Sequence, residues 1–180
     1  LIWILDKTST AMGGRLLKSW LEQPLLNIKE IKSRQDIVEI FVEDIVLMDE
    51  VKECLKKIYD LERLASKISY GNCNGRDLSS LKISIGKIPV LKDLLIQSKK
   101  EPLIKVGMKI DSLMDIYELI DNSIVEEPPI SVKEGGLIKD GFNEELDELR
   151  HISIDGKKWL ANLESEEKLK TGIKNLKIGF

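Results

Sequence analysis

The chain has 180 residues, of which 42% are hydrophobic and 33% are charged, and its formal net charge is −3. This composition supports a folded core and excludes disorder driven by composition, while the acidic balance disfavours a nucleic-acid sleeve along the whole chain. Two cysteines and a single histidine exclude most disulfide and metal frameworks and favour a reducing cytoplasm. No apolar run approaches the roughly 18 residues of a membrane span.

Helical periodicity dominates the first half of the chain. The apolar spacing predicts a helix over 10–21, a second from Asn27 to about 43, and a third over 45–58. Asp60 is predicted to cap a fourth helix, which ends at Gly71.

The second half continues this pattern with more interruptions. A helix from Asp77 to about 98 is expected to break or to start afresh at Pro89, and 99–102 is expected to form a loop before a helix over 110–120. The glycine-rich stretch 130–142 predicts extended backbone with one short strand.

The last segment is predicted to be one long helix followed by a strand. Asn143 caps a helix to about Lys170, which is roughly 42 Å long if unbroken. Its apolar stripe is thin, so the helix projects or pairs with a helix outside this chain. Residues 175–180 alternate like a strand without its mate, and this abrupt end, with a start that lacks Met, predicts a piece of a longer protein.

No catalytic motif is visible. Gly13 and Gly14 lack the lysine of a phosphate-binding loop, and we expect them to let two helices pack closely. His151 has no ligand or nucleophile pattern around it, and Cys54 and Cys73 are predicted to be inert thiols. The sequence therefore predicts no catalytic residue, no metal site and no cofactor of its own.

Two acid–arginine pairs are candidate structural elements. Asp60 precedes Arg63 by three residues, and Arg76 and Asp77 open a helix. We interpret both pairs as ion pairs or helix caps, with contact to a ligand as the alternative.

The end of the chain carries the one notable charge asymmetry. Lys170, Lys174 and Lys177 lie within the last eleven residues, which contain no acid. Such a basic tip is suited to sequence-independent contact with DNA phosphates, although a solvated lysine face has the same pattern.

Three stretches together resemble the MutS family of DNA mismatch-repair ATPases. They are 10–21 (TAMGGRLLKSWL), 59–78, from Tyr-Asp-Leu-Glu-Arg-Leu to Arg-Asp-Leu, and 135–150 (GGLIKDGFNEELDELR), the last followed by Thr-Gly-Ile at 171–173. Their order and spacing match as well, so the resemblance covers nearly the whole chain.

The residue pattern as a whole predicts an all-α fold with a long protruding helix and a short severed β edge at the C-terminus. The resemblance implies that residues 1–142 are a multihelical lever domain and that residues 143–180 are a long helix climbing into a DNA clamp, followed by the first, incomplete clamp strand. It implies a non-catalytic part of a cytoplasmic bacterial protein that binds mismatched double-stranded DNA. The full-length protein would use ATP and Mg²⁺, form a homodimer and work with a MutL-type repair partner. Lys170, Lys174 and Lys177 are the candidates for contact with the DNA backbone. Family members carry more arginine where this chain has 166–170 (EEKLK).

Two other interpretations stay open. A free-standing helical scaffold would bind another protein through the exposed stripe of 143–170. A MutS paralogue would use the same lever on other DNA structures, because lever motifs do not identify the lesion.

Overall fold

The computed structural model describes residues 2–173 and 175–177, with Lys157 described by its backbone alone. Almost all regular structure in these residues is helical, which confirms the all-α prediction. The helices are α1 (Ile2–Leu5), α2 (Ala11–Glu22), α3 (Ile28–Glu43), α4 (Ile45–Leu55), α5 (Leu61–Ser69), α6 (Gly75–Ile85), α7 (Ile88–Gln97), α8 (Glu101–Lys109), α9 (Met114–Ser123) and α10 (Glu144–Thr171), with a 3-10 helix at Val132–Glu134.

The chain divides into two compact units, residues 1–137 and residues 138–180. The first contains helices α1 to α9, and the second contains α10 with the segments on either side of it.

Side-chain caps fix where several helices begin. Asn27, Asp60 and Asn143 accept hydrogen bonds from backbone N–H groups of the first turns of α3, α5 and α10, which confirms the three predicted caps. Thr10 and Asp44 do the same for α2 and α4. Each cap satisfies a donor that the helix leaves unpaired, for about 1 kcal/mol of helix stability.

Aliphatic side chains from α3, α4, α7 and α8 form the hydrophobic core of the first unit. The buried members of this cluster are Ile40, Leu47, Val51, Leu95 and Leu103. Helix α7 packs against α4, α6 and α8, and α6 in turn packs against α5 and α9. Helices α3 to α9 therefore form one connected body with α7 near its centre, which we call the helical stack.

One buried hydroxyl joins two parts of this stack. Ser84 of α6 is completely buried; its Oγ donates to the backbone oxygen of Ser80 at 2.7 Å and accepts from the backbone N–H of Tyr59 at 2.9 Å. Tyr59 lies in the connection between α4 and α5, so this hydroxyl fixes that connection against α6.

Pro89 and Pro102 each stand in the first turn of a helix. Lys99 and Lys100 form the expected loop, but Glu101 and Pro102 already belong to α8, because the fixed φ of proline suits a first turn and its missing N–H costs nothing there. Pro89 lies in the first turn of α7, so the interruption predicted there is a fresh helix start at Ile88, after Gly86 and Lys87. The expected helix over 110–120 begins only at Met114, after Leu113 adopts a left-handed conformation with φ 49°.

Neither predicted strand is seen among the described residues. Residues 132–134 form a 3-10 helix that Ser131 caps, so the chain turns where a strand was expected. At the C-terminal end, Leu176 donates its N–H to the oxygen of Ile173 at 3.3 Å, which makes a turn out of the first part of the predicted β edge. Residues 178–180, the rest of that prediction, lie outside the described residues.

Two glycine-to-alanine substitutions are expected to change stability in opposite directions. A Cβ added at Gly75, in the first turn of α6, would lie 2.6 Å from Cβ of Pro128, whose ring cannot move aside easily. Gly75→Ala should therefore lower the free energy of unfolding by about 1–3 kcal/mol, measured by urea denaturation. Gly156→Ala, in the middle of α10 with nothing within 4 Å, should raise helicity and gain up to about 1 kcal/mol. Equal effects at the two sites would contradict the packing described at Gly75.

Replacement of the buried hydroxyl has its own expected cost. Ser84→Ala leaves the Tyr59 N–H without its partner in a dry site, so the free energy of unfolding should fall by about 1–3 kcal/mol in the same urea titration. The exposed Ser69 also donates its hydroxyl to a helix carbonyl, and Ser69→Ala should change stability by less than about 0.5 kcal/mol. Similar losses in both variants would show that the link to Tyr59 does not matter.

Candidate functional site

Charge is separated along the second unit. Residues 138–156 contain six acidic side chains and two basic ones, whereas residues 157–180 contain six lysines and three glutamates. Glu144, Glu145 and Asp147 lie in the first turn of α10, and Lys168 and Lys170 lie in its last turn. Both groups complement the helix dipole, and the lysines make the end of α10 the part of this unit that would attract phosphate.

The structure places the predicted basic tip only in part. Lys170 lies in the last turn of α10, with its Nζ 3.0 Å from Oε1 of Glu167, and this hydrogen bond raises the pKa of Lys170. Lys177 is exposed and lies six residues after Thr171, the last residue of α10. Lys174 lies outside the described residues.

A turn at the end of α10 adds a lysine that the sequence analysis missed. Gly172 ends the helix in a left-handed conformation with φ 71° and donates its N–H to the oxygen of Lys168 at 3.0 Å. A small concavity after this turn is lined by Lys168 and Lys177 together with Asn175 and Leu176. The signal available in the sequence was the Thr-Gly pair, which is typical of a helix C-terminus.

Asp60 forms its ion pair with a residue that the sequence did not suggest. Its carboxylate accepts two hydrogen bonds from Arg15 of α2, both 2.7 Å, and one from the backbone N–H of Arg63 at 3.2 Å. Arg15 also donates to Glu62, from Nε at 2.9 Å and from Nη2. These bonds, chiefly those from Arg15, lower the pKa of Asp60 to about 2 and raise the pKa of Arg15. Arg63 thus donates its backbone N–H to the Asp60 carboxylate, which caps α5. The ion pair between Arg15 and Asp60 joins α2 to α5.

Asp77 occupies a similar structural position at the start of α6. Its carboxylate accepts from Nζ of Lys67 at 2.6 Å and from the backbone N–H of Asn74 at 3.2 Å, while the Asn74 side chain accepts from the Asp77 N–H. The bond from Lys67 is the main reason that the pKa of Asp77 is lowered. The ion-pair partner of Asp77 is therefore Lys67, and its neighbour Arg76 is not part of this pair.

Gly13 and Gly14 lie in the first turns of α2 beside the segment that precedes this helix. A Cβ at Gly13 would meet Oγ1 of Thr10 at 3.1 Å, and a Cβ at Gly14 would meet Oδ2 of Asp6 at 3.2 Å. Asp6 is held there by Thr8, whose hydroxyl donates to Oδ1 at 2.7 Å. The neighbours of both glycines belong to the segment before α2. That Gly13 and Gly14 let a second helix pack closely against α2 stays a prediction.

The remaining candidate groups show no arrangement for chemistry. Burial raises the pKa of both cysteine thiols, Cys54 and Cys73, so neither is activated as a thiolate. His151 is exposed on α10. Among residues 2–173 and 175–177, no three acidic, histidine or cysteine side chains come together as metal ligands, and no helix has the length and apolarity to cross a membrane.

Comparison with known proteins gives one consistent result. The sequence profile of MutS domain III matches residues 1–176. The DNA mismatch repair protein MutS of Acetivibrio thermocellus is 53% identical over all 180 residues, and those of Desulforamulus reducens and Clostridium tetani are each 49% identical over the same length. The chain spans about a fifth of the length of these relatives (20–21%). On this match and the helical architecture, the chain belongs to the MutS domain III family.

Proposed function

We propose that this chain is a non-catalytic lever within a DNA mismatch-recognition ATPase, with contact to the duplex backbone at the end of α10. The observation that carries the proposal is α10 itself. This helix runs without a break for 28 residues, about 42 Å, and it separates negative charge at its start from positive charge at its end. A long helix of this kind is suited to transmitting a displacement along its axis. Its basic end is suited to attracting phosphate, and a single helix does not form an enclosed active site.

The packing of the first unit supports a mechanical role. Helices α3 to α9 each bury side chains in contacts with their neighbours. Packed helices transmit a displacement because a protein interior resists compression. In the proposed mechanism, nucleotide state elsewhere in the protein biases the position of this stack. The stack then biases the DNA-holding end, which makes the coupling allosteric if two arrangements exist.

Contact with the DNA backbone is proposed for Lys170, Lys174 and Lys177. Lys168 joins them because it lines the same small concavity as Lys177, after the turn at Gly172. Lysine acts as a point charge toward phosphate, so binding through these residues is independent of base sequence and weakens with salt. Glu164 and Glu167 offset part of the charge of Lys168 and Lys170, which makes Lys177 the strongest of the three described candidates.

The remaining partners would act on the full-length protein. ATP and Mg²⁺ would bind outside this chain, because no glycine in it is directly followed by Lys-Ser or Lys-Thr and its described side chains form no ligand group. We likewise propose a cytoplasmic homodimer that binds mismatched double-stranded DNA and works with a MutL-type partner. The names of the bacterial relatives support the mismatch-repair part of this proposal, and the homodimer, the MutL-type partner and the location follow from the family resemblance.

The scaffold interpretation draws on one feature of α10. Leu149, Ile152 and Trp159 are each more than half exposed, so the helix presents apolar surface that a partner helix would cover. In the lever interpretation that partner belongs to the same protein, whereas a scaffold would recruit a separate one. A paralogue acting on other DNA structures would share all of these features.

Removal of the lysine charges tests the backbone contact. Lys170→Gln, Lys174→Gln and Lys177→Gln combined, in the full-length protein, should weaken duplex binding about tenfold or more near 0.1 M salt and flatten the salt dependence by about 2 to 3 in slope. The matched control replaces Lys100, Lys105 and Lys109, which are exposed in the first unit and include one ion-paired lysine, as the tip does. Unchanged binding by the tip variant, or an equal loss in the control, would contradict the contact.

A flexible insertion tests whether α10 transmits force. Four glycines inserted after Gly156 would interrupt the helix at a position where nothing lies within 4 Å, so neighbouring packing is spared. We expect duplex binding to persist while ATP no longer accelerates DNA release. Gly156→Ala is the control and should keep the response. A normal ATP response in the insertion variant would rule out α10 as the lever.

A further inference from the structure

Helix α2 differs from helices α3 to α9 in how it is held. Each helix from α3 to α9 contributes at least one buried residue, and α2 contributes none. Leu16 and Trp20 are 52% and 38% exposed, and Met12 and Leu17 are only partly buried. Aliphatic packing alone therefore does not fix the position of α2.

Arg15 supplies the contact that joins α2 to the stack. The guanidinium spans a sequence separation of 45 residues to make two 2.7 Å hydrogen bonds with the Asp60 carboxylate, and it reaches Glu62 as well. A bidentate arginine–carboxylate pair is among the stronger and more directional polar contacts. Asp60 is itself the N-cap of α5, so the pair grips a fixed point of the stack.

A second arginine holds the other end of the helix. The Arg34 guanidinium of α3 lies 3.7 Å from the ring centroid of Trp20. Between α2 and α3 lies an open groove of about 980 Å³, lined by Trp20, Leu25 and Val38 among others, so apolar surfaces do not close there. Two of the five arginines in the chain thus account for the attachment of a helix without buried residues.

We propose that Arg15 is an electrostatic latch: it holds α2 on the helical stack through Asp60 and Glu62, and when this ion pair breaks α2 is loosened, with the Arg34–Trp20 contact as its remaining attachment. The inference concerns the local stability of α2 and does not depend on the proposed function. Asp60 stays ionised at neutral pH, so the latch responds to ionic strength and to competition by other charged groups. Arg15 is 49% exposed, and salt screens such a pair strongly.

Hydrogen–deuterium exchange in the full-length protein tests the latch. In Arg15→Gln, the amides of residues 15–22 should exchange about tenfold faster than in the parent, while peptides from α6 and α7 keep their rates. Asp60→Asn should do the same, because asparagine still caps α5 but carries no charge. Arg15→Lys should give an intermediate rate, since an ammonium cannot form the bidentate pair.

A control and a salt titration complete the test. Glu53→Gln removes a more exposed ion pair, with Lys56, that lies at the end of α4 and joins no two helices; it should leave α2 exchange unchanged. Raising salt from about 0.05 to about 1 M should accelerate α2 exchange in the parent and have little effect in Arg15→Gln. Unchanged α2 rates in both Arg15→Gln and Asp60→Asn would overturn the latch. So would equal acceleration in α6 and α7, or an identical salt response in parent and variant.

Discussion

The fold of the first unit depends on a constraint of length. Helices α4 to α9 have only 9–11 residues each, and helices this short are marginal in water unless tertiary packing stabilises them. Each one buries one to three residues, so none has a core of its own. Their stability is therefore collective, with α7 in contact with three neighbours, and no helix of the stack is stable without the others.

Polar contacts act where aliphatic packing is incomplete. The Ser84 hydroxyl fixes the α4–α5 connection inside the stack, whereas Arg15 and Arg34 hold α2 from outside it. These contacts differ in environment: the hydroxyl is completely buried, and Arg15 is half exposed. Buried bonds are costly to break and exposed ion pairs are not, so the stack should remain intact under conditions that release α2.

Local sequence signals predicted most of the helices, because caps and apolar spacing act within one turn. Asn27, Asp60 and Asn143 were predicted as caps and are caps. The error at Pro102 arose because proline is compatible with the first turn of a helix as well as with its end, whereas the fresh start predicted at Pro89 is seen one residue earlier, at Ile88. The Arg15–Asp60 pair could not be predicted, since 45 residues separate its members and no local pattern records that proximity.

The central claim is that the helical stack moves as one body, and a distance measurement tests it most directly. Spin labels at Asp49 of α4 and Glu118 of α9, both exposed, would be introduced into the full-length protein with Cys54 and Cys73 replaced by alanine. Their distance distribution is then recorded by pulsed electron resonance on mismatched DNA, with and without ATP. The account predicts the same narrow distribution in both states. A shift or broadening of several ångströms on ATP addition would mean that the stack deforms internally, and would contradict the lever.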